Sequence, residues 1–366
     1  MRLQKLTAVS LAAAMAISMT ACSSKPAETQ APATEAATEA ATEAAKETVA
    51  EAVEGKDPAE VKIGISIYQF ADNFMTLYRQ ELERYLTEDL GVKKENISIM
   101  DGKNDQGEQM NQIRNFITTG VDVMIINLVQ ASSAPTVTEE CVAAGIPVVY
   151  INREPEAERE QAWVDEGIKA TYVGADARQS GTFQGEEIAE LENHGDADGD
   201  GVVRYVMVQG DPENVDAQYR TEKSVEALKA AGVEVEELVK MRGDWDQTKG
   251  QEITANALSQ HGAKIDVVFC NNDAMALGAL QAIEAAGRKV NEDIYLVGVD
   301  ALVECVENVM NGKMTGTVFN DHFGQAKTAA DMALAFVNGE EVANVNMVDY
   351  VKVTPENAAE ILEKIK

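Results

Sequence analysis

Histidine, cysteine and tryptophan are scarce in this chain of 366 residues, which holds 3, 4 and 2 of them. The histidines, His194, His261 and His322, stand far apart and match no zinc spacing such as HExxH, so catalytic zinc is not expected. Also missing are a GxxxxGK[ST] phosphate loop, a strand followed by GxGxxG and a helix, and a GxSxG elbow. No carboxylate spacing asks for glycoside hydrolysis. The chain therefore carries no signature of an enzyme. Basic residues are few: 31 Lys and Arg face 62 Asp and Glu, a formal net charge of −31. Phosphate backbones and anionic lipid surfaces are bound through Lys and Arg clusters, so this balance argues against nucleic acid as a partner. Apart from Cys22, the cysteines are Cys141, Cys270 and Cys305. An odd number gives no disulfide framework, and Cys270, at the end of an apolar run, reads as a small buried hydrophobe.

What is present begins with an export signal. Arg2 and Lys5 precede an apolar stretch from Leu6 to Met19 that is too short to cross a bilayer, and small residues lead to Cys22. Thr20-Ala21-Cys22 resembles the box cut by lipoprotein signal peptidase, although Met19 stands where that box usually has Leu. Residues 1–21 are then the signal peptide, and Cys22 is the lipid-bearing first residue of a protein held on the extracytoplasmic face of the cell membrane. A plain signal peptide with an incidental cysteine is the simpler alternative. From 22 to 58 the sequence is an Ala, Thr, Glu and Pro repeat with almost no large apolar residue, which cannot offset its ordering entropy. It reads as a disordered tether with a reach on the order of 30 Å.

Beyond the tether, apolar runs bounded by Gly or Pro alternate with amphipathic segments. VKIGISIY (61–68), ISIM (97–100), VDVMIIN (121–127), IPVVYIN (146–152) and TYVG (171–174) read as buried parallel strands. The segment from Asn73 to Leu90 puts Phe74, Tyr78, Leu82, Tyr85 and Leu86 on one helical face, with Gly91 as its C-cap. A second series follows in VVRYVMV (202–208), VEVEELV (233–239), IDVVFC (265–270), IYLVGV (294–299) and MTGTVF (314–319). Two series of about five strands imply an α/β fold of two doubly wound sheets, with a ligand crevice at the carboxyl ends of the strands. Polar residues gather just past those ends, at Asp72, Asn152, Asp216, Asn271 to Asp273, Asp300 and Asn320. Each alone could be a helix cap or turn residue.

The strings IYQFADNFM (67–75), YINREP (150–155), YVGAD (172–176), GDPENVDAQYRT (210–221), NNDAMALGA (271–279), GVDAL (298–302) and GTVFND (316–321) occur in this order. Together they resemble the periplasmic galactose/glucose-binding proteins of ABC importers, from about Val61 to the C-terminus. YVGAD and GVDAL alone would also fit ribose binders and other sugar binders of the same fold. The resemblance implies the type I periplasmic binding protein fold, two lobes joined by a three-segment hinge. Lobe one is then 61–175 plus 320–352 and lobe two 176–319 plus 353–366, with crossings near Ala175, Phe319 and Lys352. It implies a sugar shell of Asp72, Phe74, Asn152, Asp216, Arg220, Trp245, Asn272, Asp300 and Asn320, with Asn214 where the family usually has histidine. Those residue types suit a hexose: Phe74 and Trp245 would cover the apolar ring faces, and Asp, Asn and Arg would take the hydroxyls. The implied function is capture of D-galactose or D-glucose by a monomer for an importer permease, with closure as the signal of occupancy. Ribose, xylose or a signalling sugar stays open as ligand, a sugar-sensing regulator as a different class that the export signal opposes, and a chemoreceptor as a second partner.

Asp196-Ala197-Asp198-Gly199-Asp200-Gly201 places oxygen ligands at alternate positions with Gly at the sixth, as a calcium loop does. The carbonyl of Val202 would add the seventh-position ligand. No Glu stands at the twelfth position, and the resemblance supplies Asp266 as a distant carboxylate, one methylene shorter than the family's Glu. Arg204 at the ninth position cannot ligate. Structural Ca2+ is the only cofactor expected, held by Asp196, Asp198, Asp200, Val202 and Asp266; a solvated acidic turn is the alternative.

Overall fold

The computed structural model describes residues 55–366, so the signal segment, Cys22 and most of the tether lie outside the described residues. The last tether residues are ordered, contrary to the boundary at 58. Lys56 Nζ pairs with Asp122 at 2.6 Å, and the Asp57 side chain caps a short turn at Pro58–Glu60. A fixed partner for one long side chain offsets ordering entropy that composition alone could not.

Strand β1 (Ile63–Ile67) is buried throughout, and is followed by α1 (Asn73–Arg84), β2 (Ile97–Asp101), α2 (Gln106–Thr119), β3 (Val123–Ile126), α3 (Ala134–Ala144), β4 (Val148–Ile151), α4 (Ala157–Glu166) and β5 (Ala170–Gly174). The helices start and stop where side-chain chemistry requires. α2, α3 and α4 end on Gly120, Gly145 and Gly167, whose φ of 68°, 71° and 64° a residue with a Cβ adopts only under strain. α1 continues through a widened turn at Tyr85–Asp89 to a cap at Leu90, and Gly91, at φ 76°, ends the segment as expected.

The second series is α5 (Ala177–Ala189), β6 (Val203–Gln209), α6 (Val215–Ala230), β7 (Val235–Arg242), α7 (Gln247–His261), β8 (Val267–Cys270), α8 (Asp273–Ala285), β9 (Tyr295–Val297), α9 (Val303–Met310) and β10 (Thr317–Phe319). It ends with α10 (His322–Val337), β11 (Val345–Met347), β12 (Val351–Val353) and α11 (Ala358–Ile365). One parallel sheet has the order β11-β5-β4-β3-β1-β2, and the other β7-β6-β8-β9. The second sheet therefore has four strands where five were expected. β10 pairs antiparallel with β12, and only the isolated bridges Val297–Gly316 and Asp300–Phe319 link its segment to that of β9, because both strands of that pair belong to segments passing between the sheets. The chain passes across after β5, after β10 and between β11 and β12, and α11 returns to pack on α9.

Each sheet has apolar packing on both faces. Ile63, Ile65 and Ile67 are fully buried, each contributing about 1.5–3 kcal/mol relative to exposure. In the second lobe the helices approach closely through glycine. α7 meets α8 through Gly250 and Gly278, and a Cβ on Gly278 would overlap the Gln247 carbonyl and lie 2.7 Å from the Gln251 nitrogen. In both sheets the strand order reverses beside the first strand, between β1 and β3 and between β6 and β8. The carboxyl ends of those strands form the crevice that such a reversal opens.

Candidate functional site

Twelve residues that follow strand ends, or start the helices after them, line one cavity between the sheets. It brings together all the residues named for the sugar shell, Asp72, Phe74, Asn152, Asn214, Asp216, Arg220, Trp245, Asn272, Asp300 and Asn320. Tyr68 and Arg153 complete the lining and were not foreseen. Both lie inside quoted strings, yet their role depends on a contact between distant positions: the Arg153 guanidinium sits 3.8 Å over the Tyr68 ring. Arg153 is buried and donates to the Val129 carbonyl at 2.6 Å.

Several of these side chains are helix caps. Asp72 accepts from Met75 N at 2.7 Å, Asn214 from Asp216 N at 3.0 Å and Asn272 from Met275 N at 3.0 Å, each satisfying an amide of its own first turn. The second Asp72 oxygen accepts from the Tyr68 hydroxyl at 2.6 Å. Asn152 has φ 61° and its side-chain oxygen accepts from Asn127 Nδ2 at 3.1 Å, which fixes its direction. Phe74 is held edge-on by Tyr78 and His322, with ring centroids at 6.1 and 6.4 Å. Trp245, also left-handed at φ 64°, lies flat on Gly210, where any side chain would overlap the indole.

Arg220 organises the charged wall. Its Nη1 donates to the Asn271 carbonyl at 2.8 Å and its Nη2 to the Tyr350 hydroxyl at 2.9 Å, while Asp216 stands 3.9 Å from it. Asp216 Oδ1 and Arg220 Nε are buried with no hydrogen-bond partner in the protein. Asp300 accepts from Asn320 Nδ2 at 3.3 Å, and Asn320 Oδ1 accepts from Gln325 Nε2 at 2.6 Å. Burial pushes Asp216 up to about 6 against the opposing pull of Arg220 and Arg153, and lifts Asp300 well above the usual carboxylate range.

These carboxylates are part of a larger set. Burial, then the Asp216 charge, raises Glu154 to about 7; burial, then Glu154, raises Glu160 to about 7; burial raises Asp273 to about 6. A carboxyl raised in the fold contributes stability that is complete below its unfolded value, roughly 4, and lost as pH climbs through the folded value. His322, lowered by burial, acts in the opposite sense. The ligand-free protein is therefore expected to melt a few degrees higher at pH 5.5 than at pH 8. Differential scanning calorimetry across that window checks it, and a melting temperature falling steadily on acidification contradicts it.

The acidic loop is only partly assembled as a cation site. Carboxylate oxygens of Asp196, Asp198 and Asp266 lie within 4.8 Å of one another. Asp200 is not among them: Oδ2 accepts from Arg204 Nη1 at 2.8 Å and Oδ1 from Val202 N at 3.0 Å. Arg204 also bonds Glu236 at 3.0 Å, and its amide donates to Asp266 Oδ2 at 2.7 Å. The guanidinium that sequence spacing placed at the ninth position takes the carboxylate that a cation would need. Cys141, Cys270 and Cys305 are buried free thiols.

Residues 63–341 match the model of the periplasmic binding protein domain family. The chain is 33% identical over 318 residues to the D-galactose/methyl-galactoside binding periplasmic protein of Haemophilus influenzae, covering 83% of this chain and 93% of that protein. It is 34% identical over 306 residues to a putative rhizopine-binding protein of Rhizobium meliloti, covering 82% and 93%. Among solved structures it is similar to an ABC transporter solute-binding protein of Bacillus halodurans with bound myo-inositol. That match has a TM-score of 0.72 and 31% identity, and covers 84% of this chain and 99% of that one.

Proposed function

This chain belongs to the periplasmic binding protein domain family, as a sugar-binding component of an ABC transporter, and we propose that the sugar it captures is D-galactose or D-glucose. Proteins of this family are non-enzymatic transport components that work outside the cytoplasm. The observation that carries the reading is the unpartnered pair Asp216 Oδ1 and Arg220 Nε, buried in a cavity walled by Phe74 and Trp245. A buried acceptor and donor left unmade cost about 1–3 kcal/mol each, and ring hydroxyls between two aromatic walls would satisfy both. The similarity to the Haemophilus galactose binder supports a hexose. A cyclitol is the second reading, favoured by the myo-inositol held in the Bacillus halodurans structure. Titration calorimetry with galactose, glucose, ribose, xylose and myo-inositol is expected to give one-to-one binding with a hexose tightest. A pentose or the cyclitol binding best overturns that choice.

Membrane attachment follows from the lipoprotein reading of Cys22. Cys22→Ala is expected to move the exported protein from the membrane to the soluble fraction with sugar affinity unchanged. A variant that still pellets with membranes contradicts the anchor.

We further propose weak calcium binding, at millimolar concentrations, by Asp196, Asp198 and Asp266, with Asp200 recruited only if it leaves Arg204. A ligand bound solely to the folded state raises its stability with concentration. Arg204→Gln, which frees Asp200 and adds an oxygen, is expected to increase that rise. A melting temperature indifferent to millimolar calcium in both proteins counts against the site.

A further inference from the structure

Beside the sugar cavity lies a second, larger one. It is open enough for about 240 Å³ of bound matter, several times the room left in the inner cavity. Tyr68, Arg153 and Trp245 line both, so the two are chambers of a single cleft with those three side chains as the neck. Both sides of the cleft contribute to the outer chamber: Gln69 and Asn104 follow strands of the six-stranded sheet, Asp211, Arg242 and Asp244 follow or end strands of the other, and Lys249 lies in the first turn of α7.

We propose that the cleft takes glycosides, with the hexose in the inner chamber and a neutral, hydroxylated substituent the size of a second sugar in the outer one. The inference rests on the sugar reading above. Three observations select this class of substituent. First, the walls are hydrogen-bonding groups throughout apart from the faces of Tyr68 and Trp245, so an apolar aglycone would desolvate charges without replacing their bonds. Second, the charges are balanced: Arg153, Arg242 and Lys249 face Asp211, Asp244 and Asp246. Arg242 lies 3.4 Å from Asp211 and also bonds Asp244, Lys249 bonds Asp244, and Arg153 lies 3.8 Å from Asp211. No positive charge is left over for a phosphate, which needs unmatched cations. Third, the aromatic faces at the neck suit the C–H surface of a second sugar ring. Groups already held by one another are positioned to bond hydroxyls without first being ordered.

The test is calorimetric titration of the full chain with galactose and glucose, their methyl glycosides, and the disaccharides lactose, melibiose, maltose and cellobiose. At least one disaccharide is expected to bind within tenfold of its parent monosaccharide. Gln69→Ala and Asn104→Gly, both outside the inner chamber, are then expected to weaken that disaccharide at least fivefold and the monosaccharide less than twofold. Gln69→Trp, which fills the outer chamber, is expected to abolish the disaccharide alone. Monosaccharide binding with every disaccharide more than a hundredfold weaker overturns the inference and leaves the sugar reading intact. Variants that shift both ligands equally overturn the placement, and failure of both ligand classes overturns the sugar reading and the inference together.

Discussion

Asp216→Asn should weaken sugar binding by about ten- to a hundredfold, and the protein should be as stable as before or more so. The two effects have one cause. Burial raises Asp216 to about 6, so at neutral pH the fold carries a carboxylate that its surroundings disfavour even with Arg220 at 3.9 Å. An amide of the same shape relieves that penalty. It also exchanges a charge-assisted hydrogen bond to a ring hydroxyl for a neutral one, and bonds to charged groups are worth about 1.5–3 kcal/mol. Calorimetric titration and thermal melts of the same preparation read both signs. Sugar affinity within twofold of the parent protein would remove Asp216 from the site, and a large drop in melting temperature would make it structural. The affinity of the parent should itself fall between pH 7 and pH 5, because a hydroxyl donated to Oδ1 favours the ionised carboxyl.

Gly278→Val should damage the fold severely, destabilising it by about 3 kcal/mol or more. Even a methyl group there would overlap the Gln247 carbonyl on the facing helix, which is backbone and cannot swing aside. Gly250 makes the reciprocal approach to Met275, so neither helix can yield without separating the pair. A drop in melting temperature of about 6 °C or more is expected for a body of this size. Sugar binding should suffer too, because Trp245 precedes one of these helices and Asn272 caps the other. A variant that melts within 2 °C of the parent would mean that the helices can separate cheaply.

Much of this architecture could be read from residue patterns. Runs such as VDVMIIN and IPVVYIN are apolar on both faces because helices cover both, and that continuity identifies buried parallel strands. The residues lining the cavity were visible for a related reason: a polar residue directly after such a run has no place except the crevice or a helix cap. What escaped were pairings between positions far apart in sequence. Arg153 over Tyr68, the capture of Asp200 by Arg204 and the departure of β10 from its expected sheet are each decided by which segment folding brings alongside. Trp245 looked like a binding residue because its neighbours are polar. It does line the cavity, but it also packs against the core of the second lobe, which local composition did not reveal.

Asp72, Asn214 and Asn272 each use one oxygen to cap a helix while facing the ligand cavity. A mutational survey scored on abundance or solubility would rank them beside ordinary capping residues and take no notice of the sugar. Only a screen run twice, with and without ligand, would separate the two duties, through substitutions such as Asp72→Ser that keep a cap and lose the carboxylate. For a binder of this design, tolerance measured in the empty protein is a poor map of where its specificity resides.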